Sequence, residues 1–191
     1  MIETIYLQLL HTLEDKVEVV DDYDRPLAVM PVADVHRHPL KHRVVLTLLY
    51  DTCGRLYLQR RARTKTLYPG RWDLSSTGHV LAGESREHAA LRELNEELGV
   101  FPGKVTWVAH IPASKETELA DITLFSARLG GDQPCPNPQE VSEGIFVDRE
   151  ELEAMLQNFR EILTPAVIWA AEEDYLFRPA PTNQEADQDV S

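Results

Sequence analysis

The sequence predicts a mixed α/β (α+β) fold, with helices covering a mixed β-sheet. Three observations carry that expectation. Strand-like runs dominate the middle of the chain, and at least two amphipathic helical segments are available to cover them. The length of 191 residues suits one ordinary domain with a short extension and is short for two. A composition of 43% hydrophobic and 27% charged residues is that of a soluble globular chain able to bury a core without staples.

The elements follow in order. Residues Ile5 to Leu13 fit a short helix or a strand equally. Lys16 to Asp21 and Leu27 to Val32 read as two short strands around the turn at Asp22–Pro26. Asp34 to His42 reads as a loop and holds His36, His38 and His42. Arg43 to Tyr50 is a continuous apolar, β-branched run, hence a buried strand. After the Asp51–Gly54 turn, Arg55 to Arg60 makes the next strand, so the two read as a hairpin. Thr64 to Gly70 is a loop. Ser85 to Leu98 is the clearest helix, with Ser85 to cap it and Gly99 to end it. Val105 to Ile111 and Ile122 to Leu129 are strands, and Gly130 to Pro138 is turn-rich. A strand at Gly144 to Val147 leads to Asp148, which opens a helix with Glu151 in capping-box spacing. A last helix runs from Thr164 to about Leu176, with Pro165 in its first turn.

Asp plus Glu number 32 and Lys plus Arg 19, a formal net charge of −13. That excess argues against a nucleic-acid polymer or an anionic membrane as the main partner, and leaves room for a site that recruits divalent cations. The charge is uneven. Six acids (Glu172, Glu173, Asp174, Glu185, Asp187, Asp189) face one base, Arg178, at the C-terminus, and residues 177–191 read as a solvated, mobile tail. Between Asp51 and Asp73, Arg55, Arg60, Arg61, Arg63, Lys65 and Arg71 occur without an acid. A solvated loop and a phosphate-binding rim explain that run equally well, since both side-chain types suit phosphate oxygens. Cys53 and Cys135 are far apart, with no nearby partner in ligand spacing, which disfavours a disulfide scaffold or a zinc ribbon and fits a reducing cytoplasm. The first residues lack a basic flank, and no apolar run approaches spanning length.

The chemistry lies in the stretch from Gly78 to Val100. On the predicted helix, Leu91, Leu94 and Leu98 fall on one side and Glu93, Glu96 and Glu97 cluster on the other. Three carboxylates at these spacings repel one another. Alone they read as a solvated acidic face; with a cation among them they read as oxygen ligands for Mg²⁺. The surroundings shift that balance. Gly78 is followed six residues on by Glu84 and eight further by Arg92, then Glu93, Leu94, Glu96, Glu97, Gly99 and Val100.

This pattern resembles the Nudix box at every fixed position. The resemblance implies an α/β/α sandwich with helices on both faces of a mixed sheet, one domain over residues 1–176 with the box at 78–100. It implies that Glu93, Glu96 and Glu97, with the Gly78 carbonyl, bind Mg²⁺ or Mn²⁺, and that Glu84 and Arg92 pair to brace loop against helix. The implied activity is hydrolysis of a phosphoanhydride in a nucleoside diphosphate derivative or related small diphosphate, by a monomer or homodimer. A cation would shield the anhydride and acidify a water, and a carboxylate would take its proton. Glu96 or Glu97 is favoured for that step; Glu118, Asp121, Glu140 and Glu143 are later candidates that the sequence does not separate.

The likeness extends further. His42–Val45, Leu58–Asp73, Gly78–His79 and Glu140–Val147 are similar to the isopentenyl-diphosphate isomerase-like subgroup. By that resemblance Arg61 and Lys65 are the leading phosphate-binding residues, with Arg60 and Arg71 beside them, and His42 and His79 match metal-binding histidines. His36 and His38 lie near the spacing of a third. Two departures favour hydrolysis over isomerisation: Thr77 stands where the isomerase has its cysteine, and no acid stands at Ala120. An isomerase and a non-catalytic nucleotide sensor remain the competing readings.

Overall fold

The computed structural model describes residues 15–177; the segment at Ile5–Leu13 and the tail beyond residue 177 lie outside that range. The strands are β1 (Lys16–Val20), β2 (Pro26–Pro31), β3 (His42–Tyr50), β4 (Leu56–Arg61), β5 (Trp72–Asp73), β6 (Ser76–His79), β7 (Thr106–Ile111), β8 (Ala120–Arg128) and β9 (Val141–Val147). The helices are α1 (Val32–Arg37), α2 (Arg86–Leu98), α3 (Arg149–Asn158) and α4 (Pro165–Glu172), with a 3₁₀ turn at Arg160–Ile162.

β3 organises the sheet. It runs parallel to β8 over its whole length and antiparallel to β6 from Val44 to Thr47. β7 completes that side by antiparallel pairing with β8. The second group is β9–β4–β5, all antiparallel. The expected β3–β4 hairpin is corrected here: the two strands pair only at Tyr50↔Leu56 and then diverge. β4 instead takes β9 and β5 as neighbours, and the divergence opens the space into which α2 and β6 bring their polar groups.

Helices cover both faces, as the mixed-sheet expectation required. On one face Leu94 and Leu98 of α2 pack with Leu49, Tyr57 and Val141, while Ala89 and Ala90 pack with Val45 and Phe125. On the other, Leu152 of α3 and Val167 and Ala170 of α4 close over Leu46, Leu48, Leu56, Leu58 and Leu124. The caps behave as the sequence indicates. Ser85 accepts from the His88 amide, Gly99 takes the left-handed conformation at φ 64°, and Asp148 and Glu151 form a reciprocal capping box.

Several boundaries move. The stretch read as a loop at Asp34–His42 begins inside α1, because Val32 and Val35 are spaced to pack against Val17 and Val19. β9 starts at Val141 rather than Gly144, and α4 ends at Glu172 rather than Leu176. Leu176 is nonetheless buried in the core below. β5 and β6 are additional strands; they are short and polar, and it is pairing to β4 and β3 that makes them strands.

Candidate active site

α2 delivers the three glutamates against β6. Glu97 is 5% exposed, Glu93 is largely buried, and Glu96 stands more than half open to solvent. Glu97 Oε2 accepts from the Thr77 backbone amide at 3.3 Å and from Gln59 Nε2 at 3.0 Å. Gly78 lies directly under Glu93, where a Cβ would collide with the carboxyl group. A side chain at this position would displace the Glu93 carboxyl.

Arg92 is the brace. Its Nε and Nη2 donate to the two oxygens of Glu84, both at 2.9 Å. Nη2 also donates to the His79 carbonyl at 2.9 Å, and Nη1 to Glu93 at 2.7 Å and Glu96 at 3.1 Å. Glu84 closes the circuit by accepting from the Leu81 amide at 3.1 Å. One guanidinium thus fixes the loop before α2, the end of β6 and two box carboxylates.

This packing leaves negative charge in excess. Burial pushes Glu93 up to about 7; Arg92 pulls against it, and Glu96 and Glu140 add to it. Burial also drives Glu97 well above the usual carboxylate range, with Glu93 and Glu140 reinforcing and Lys65 opposing. Two buried carboxyls that resist ionisation side by side fit a site that ionises when a divalent cation supplies the missing charge.

The basic residues divide. Lys65 forms an ion pair with Glu140, and its charge reaches Glu97. Arg61 Nη1 donates to Asp73 at 3.0 Å and its Nε to the Leu67 carbonyl at 2.9 Å. Arg60 pairs with Glu143 at 2.5 Å and holds the Gly70 carbonyl, while Arg71 stacks over Tyr68 and donates to the Leu163 carbonyl. These three arginines shape the loop that presents Lys65.

The later acids also separate. Glu140 sits at the glutamate nest. Asp121 is buried between Arg86 at 2.9 Å and His110 at 3.0 Å. Glu143 faces Arg60, and Glu118 lies by the histidines, lining a cleft of about 450 Å³ with His36, Pro39, Lys115 and Leu119.

The structure groups His42 and His79, the pair the resemblance pointed to, and selects His36 over His38 as their neighbour. His36, His42 and His79 place ligating nitrogens within 4.8 Å of one another. His36 Nε2 lies 2.9 Å from His79 Nε2, and His42 Nδ1 lies 2.8 Å from the Leu40 carbonyl. His42 Nε2 is buried with no hydrogen-bond partner among the described residues. Burial holds His42 below its ordinary value and His79 down at about 3, so both are neutral. His38 is not in the cluster. The turn of helix at Val32–Arg37 is what brings His36 in, and the apolar pair Val32 and Val35 is the signal for it.

Comparison with known proteins agrees with this geometry. The NUDIX domain family model matches residues 40–168. The chain is 38% identical to an isopentenyl-diphosphate Delta-isomerase of Nocardia farcinica over 161 residues, covering 82% of this chain and 90% of that one. It is 46% identical to an uncharacterised Nudix hydrolase of Pseudomonas aeruginosa over 132 residues, covering 69% and 77% respectively. Among solved structures, DR0079 of Deinococcus radiodurans superposes with a TM-score of 0.70 at 25% identity, over 86% of this chain and 100% of that one. A box helix braced by Arg92 over Gly78, a family match across two thirds of the sequence and relatives sharing most of its length converge: the chain belongs to the Nudix family.

Proposed function

We propose that this Nudix chain is a Mg²⁺- or Mn²⁺-dependent pyrophosphohydrolase acting on a small diphosphate, such as a nucleoside diphosphate derivative. The observation that carries the reading is the pair of buried carboxyls, Glu93 and Glu97, held at Gly78 in a nest short of positive charge. Glu93, Glu97 and the Gly78 carbonyl would hold the cation, with Glu96 at the solvent side. The cation would shield the anhydride oxygens and lower the pKa of an attacking water.

The remaining work falls to the chain. Arg92 keeps Glu93 and Glu96 oriented while Glu84 prevents it from swinging toward the anionic substrate. Lys65 exchanges its partner Glu140 for a phosphate oxygen, and Arg60, Arg61 and Arg71 hold its loop. Glu96 takes the water's proton, because its half-exposed carboxylate can pass that proton to solvent. Glu96→Gln should reduce turnover by roughly 100-fold or more with the fold intact. A metal-supplemented screen of nucleoside diphosphates, read by released phosphate, tests the activity; unchanged turnover in Glu96→Gln at saturating Mg²⁺ removes the assignment.

The histidine cluster and the relative named as an isomerase favour a second reading, a diphosphate isomerase with metal on His36, His42 and His79. Alkene isomerisation needs a proton donor and an acceptor. Thr77 offers a hydroxyl that does not ionise near neutrality, and Ala120, beside His42 in register, offers no acid. Incubation with isopentenyl diphosphate should therefore give no allylic isomer.

A further inference from the structure

Gln59 is a polar residue in an apolar strand. It sits on β4 next to Leu58, is 1% exposed, and no box motif includes it. A buried primary amide is costly unless its groups are bonded. Its Nε2 donates at 3.0 Å to Oε2 of Glu97, a residue 38 positions away on α2. The same oxygen accepts from the Thr77 amide at 3.3 Å. Two N–H groups from two different strands therefore converge on Oε2, and Oε1 remains as the atom available to a cation. Opposite Gln59 in register lies Gly144 on β9, over which the Tyr57 phenol rests.

We infer that Gln59 is a positioning residue for Glu97, and through it for the metal site. This rests on the reading of Glu97 as a metal ligand. The choice of an amide follows from charge. A Lys or Arg at this position would neutralise Glu97 and compete with the cation. An Asp or Glu would repel it. A neutral donor fixes the carboxyl rotamer and leaves its charge for the metal. Partners of this kind commonly set metal affinity by about 10- to 100-fold.

The test uses the full chain and Mn²⁺ alone, with bound metal read by electron paramagnetic resonance and the metal-free melting temperature measured in parallel. Gln59→Met keeps the length and removes the donor. Gln59→Thr gives a second side chain too short to reach Glu97, so the result does not hang on one variant's folding. Both should bind Mn²⁺ about tenfold more weakly. Gln59→Met should melt, without metal, somewhat below the wild-type temperature, since Glu97 loses a buried donor, so the metal affinity is the readout that carries the test. Wild-type Mn²⁺ affinity in the folded variants overturns the inference, as does a lowered metal-free melting temperature with affinity unchanged, which marks a purely structural role. A wild-type chain that binds no Mn²⁺, or Glu97→Gln binding as tightly as wild type, overturns the glutamate nest itself and Gln59's role with it.

Discussion

Arg92 makes five hydrogen bonds to four residues, Glu84, Glu93, Glu96 and His79, from a side chain only 23% exposed. Its planar fork matches the Glu84 carboxylate in a way an ammonium cannot. Arg92→Ala should therefore cost about 3 kcal/mol in denaturant unfolding, because it leaves buried carboxylates without a counter-ion. Arg92→Lys should recover part of that loss by restoring charge without the fork. Equal stability of Arg92→Ala and wild type in urea would show that the brace is ornamental. At this same scale, the box residues were readable because their spacing is fixed along one helix. The fate of Arg61 was not, because its partners, Asp73 and the Leu67 carbonyl, become neighbours only when β5 closes on β4. The late acids were likewise inseparable in sequence, and the ion pairs of Glu140 with Lys65, Glu143 with Arg60 and Asp121 with Arg86 sort three of the four.

Among elements, the pairing of α2 with β6 decides whether a nest exists. Gly78 allows the strand to touch Glu93, and Thr77 donates to Glu97 from the same short strand. Gly78→Ala would place a methyl group inside the Glu93 carboxyl, so the Glu93 side chain must leave its place beside Arg92. The expected result is a loss of roughly 1–3 kcal/mol of stability together with much weaker Mn²⁺ binding. A Gly78→Ala variant that melts and binds Mn²⁺ like wild type would refute the close approach. α2 was legible in the sequence because cap, helical period and terminal glycine all agree. β6 was legible only as a strand-like run ahead of Gly78, because Ser76-Thr-Gly-His has no apolar alternation and owes its extension to β3. The histidine cluster was legible through resemblance for His42 and His79, and left open between His36 and His38 for the third, because its members come from α1, β3 and β6, which no local pattern unites.

Over the whole molecule, opposed titrations of buried groups bear on the pH at which the metal-free protein is most stable, Glu93 and Glu97 on one side and His79 and His42 on the other. Burial pushes Glu93 from 4.5 up to about 7, so between those values the native state holds a proton that the unfolded chain has released. Its contribution to stability is full below 4.5 and is lost as pH rises through 7. His79 works the other way. Burial holds it at about 3 against 6.5 unfolded, so the unfolded chain takes up a proton that the native state refuses. Stability from His79 is full above 6.5 and is lost as pH falls toward 3. The two slopes oppose each other between 4.5 and 6.5, which places the metal-free optimum in that window. On the proposed reading a divalent cation would supply the charge that ionised Glu93 and Glu97 lack, and so would remove the alkaline loss and leave the acid one. Melting temperatures measured from pH 4 to 9 should then show a decline setting in above about pH 6.5, where His79 no longer offsets Glu93, in the presence of a chelator, and a plateau in saturating Mg²⁺. The gain from Mg²⁺ should grow with pH, since ligands must ionise before they bind. Parallel curves with and without Mg²⁺ would mean that the buried carboxyls are not where the cation acts.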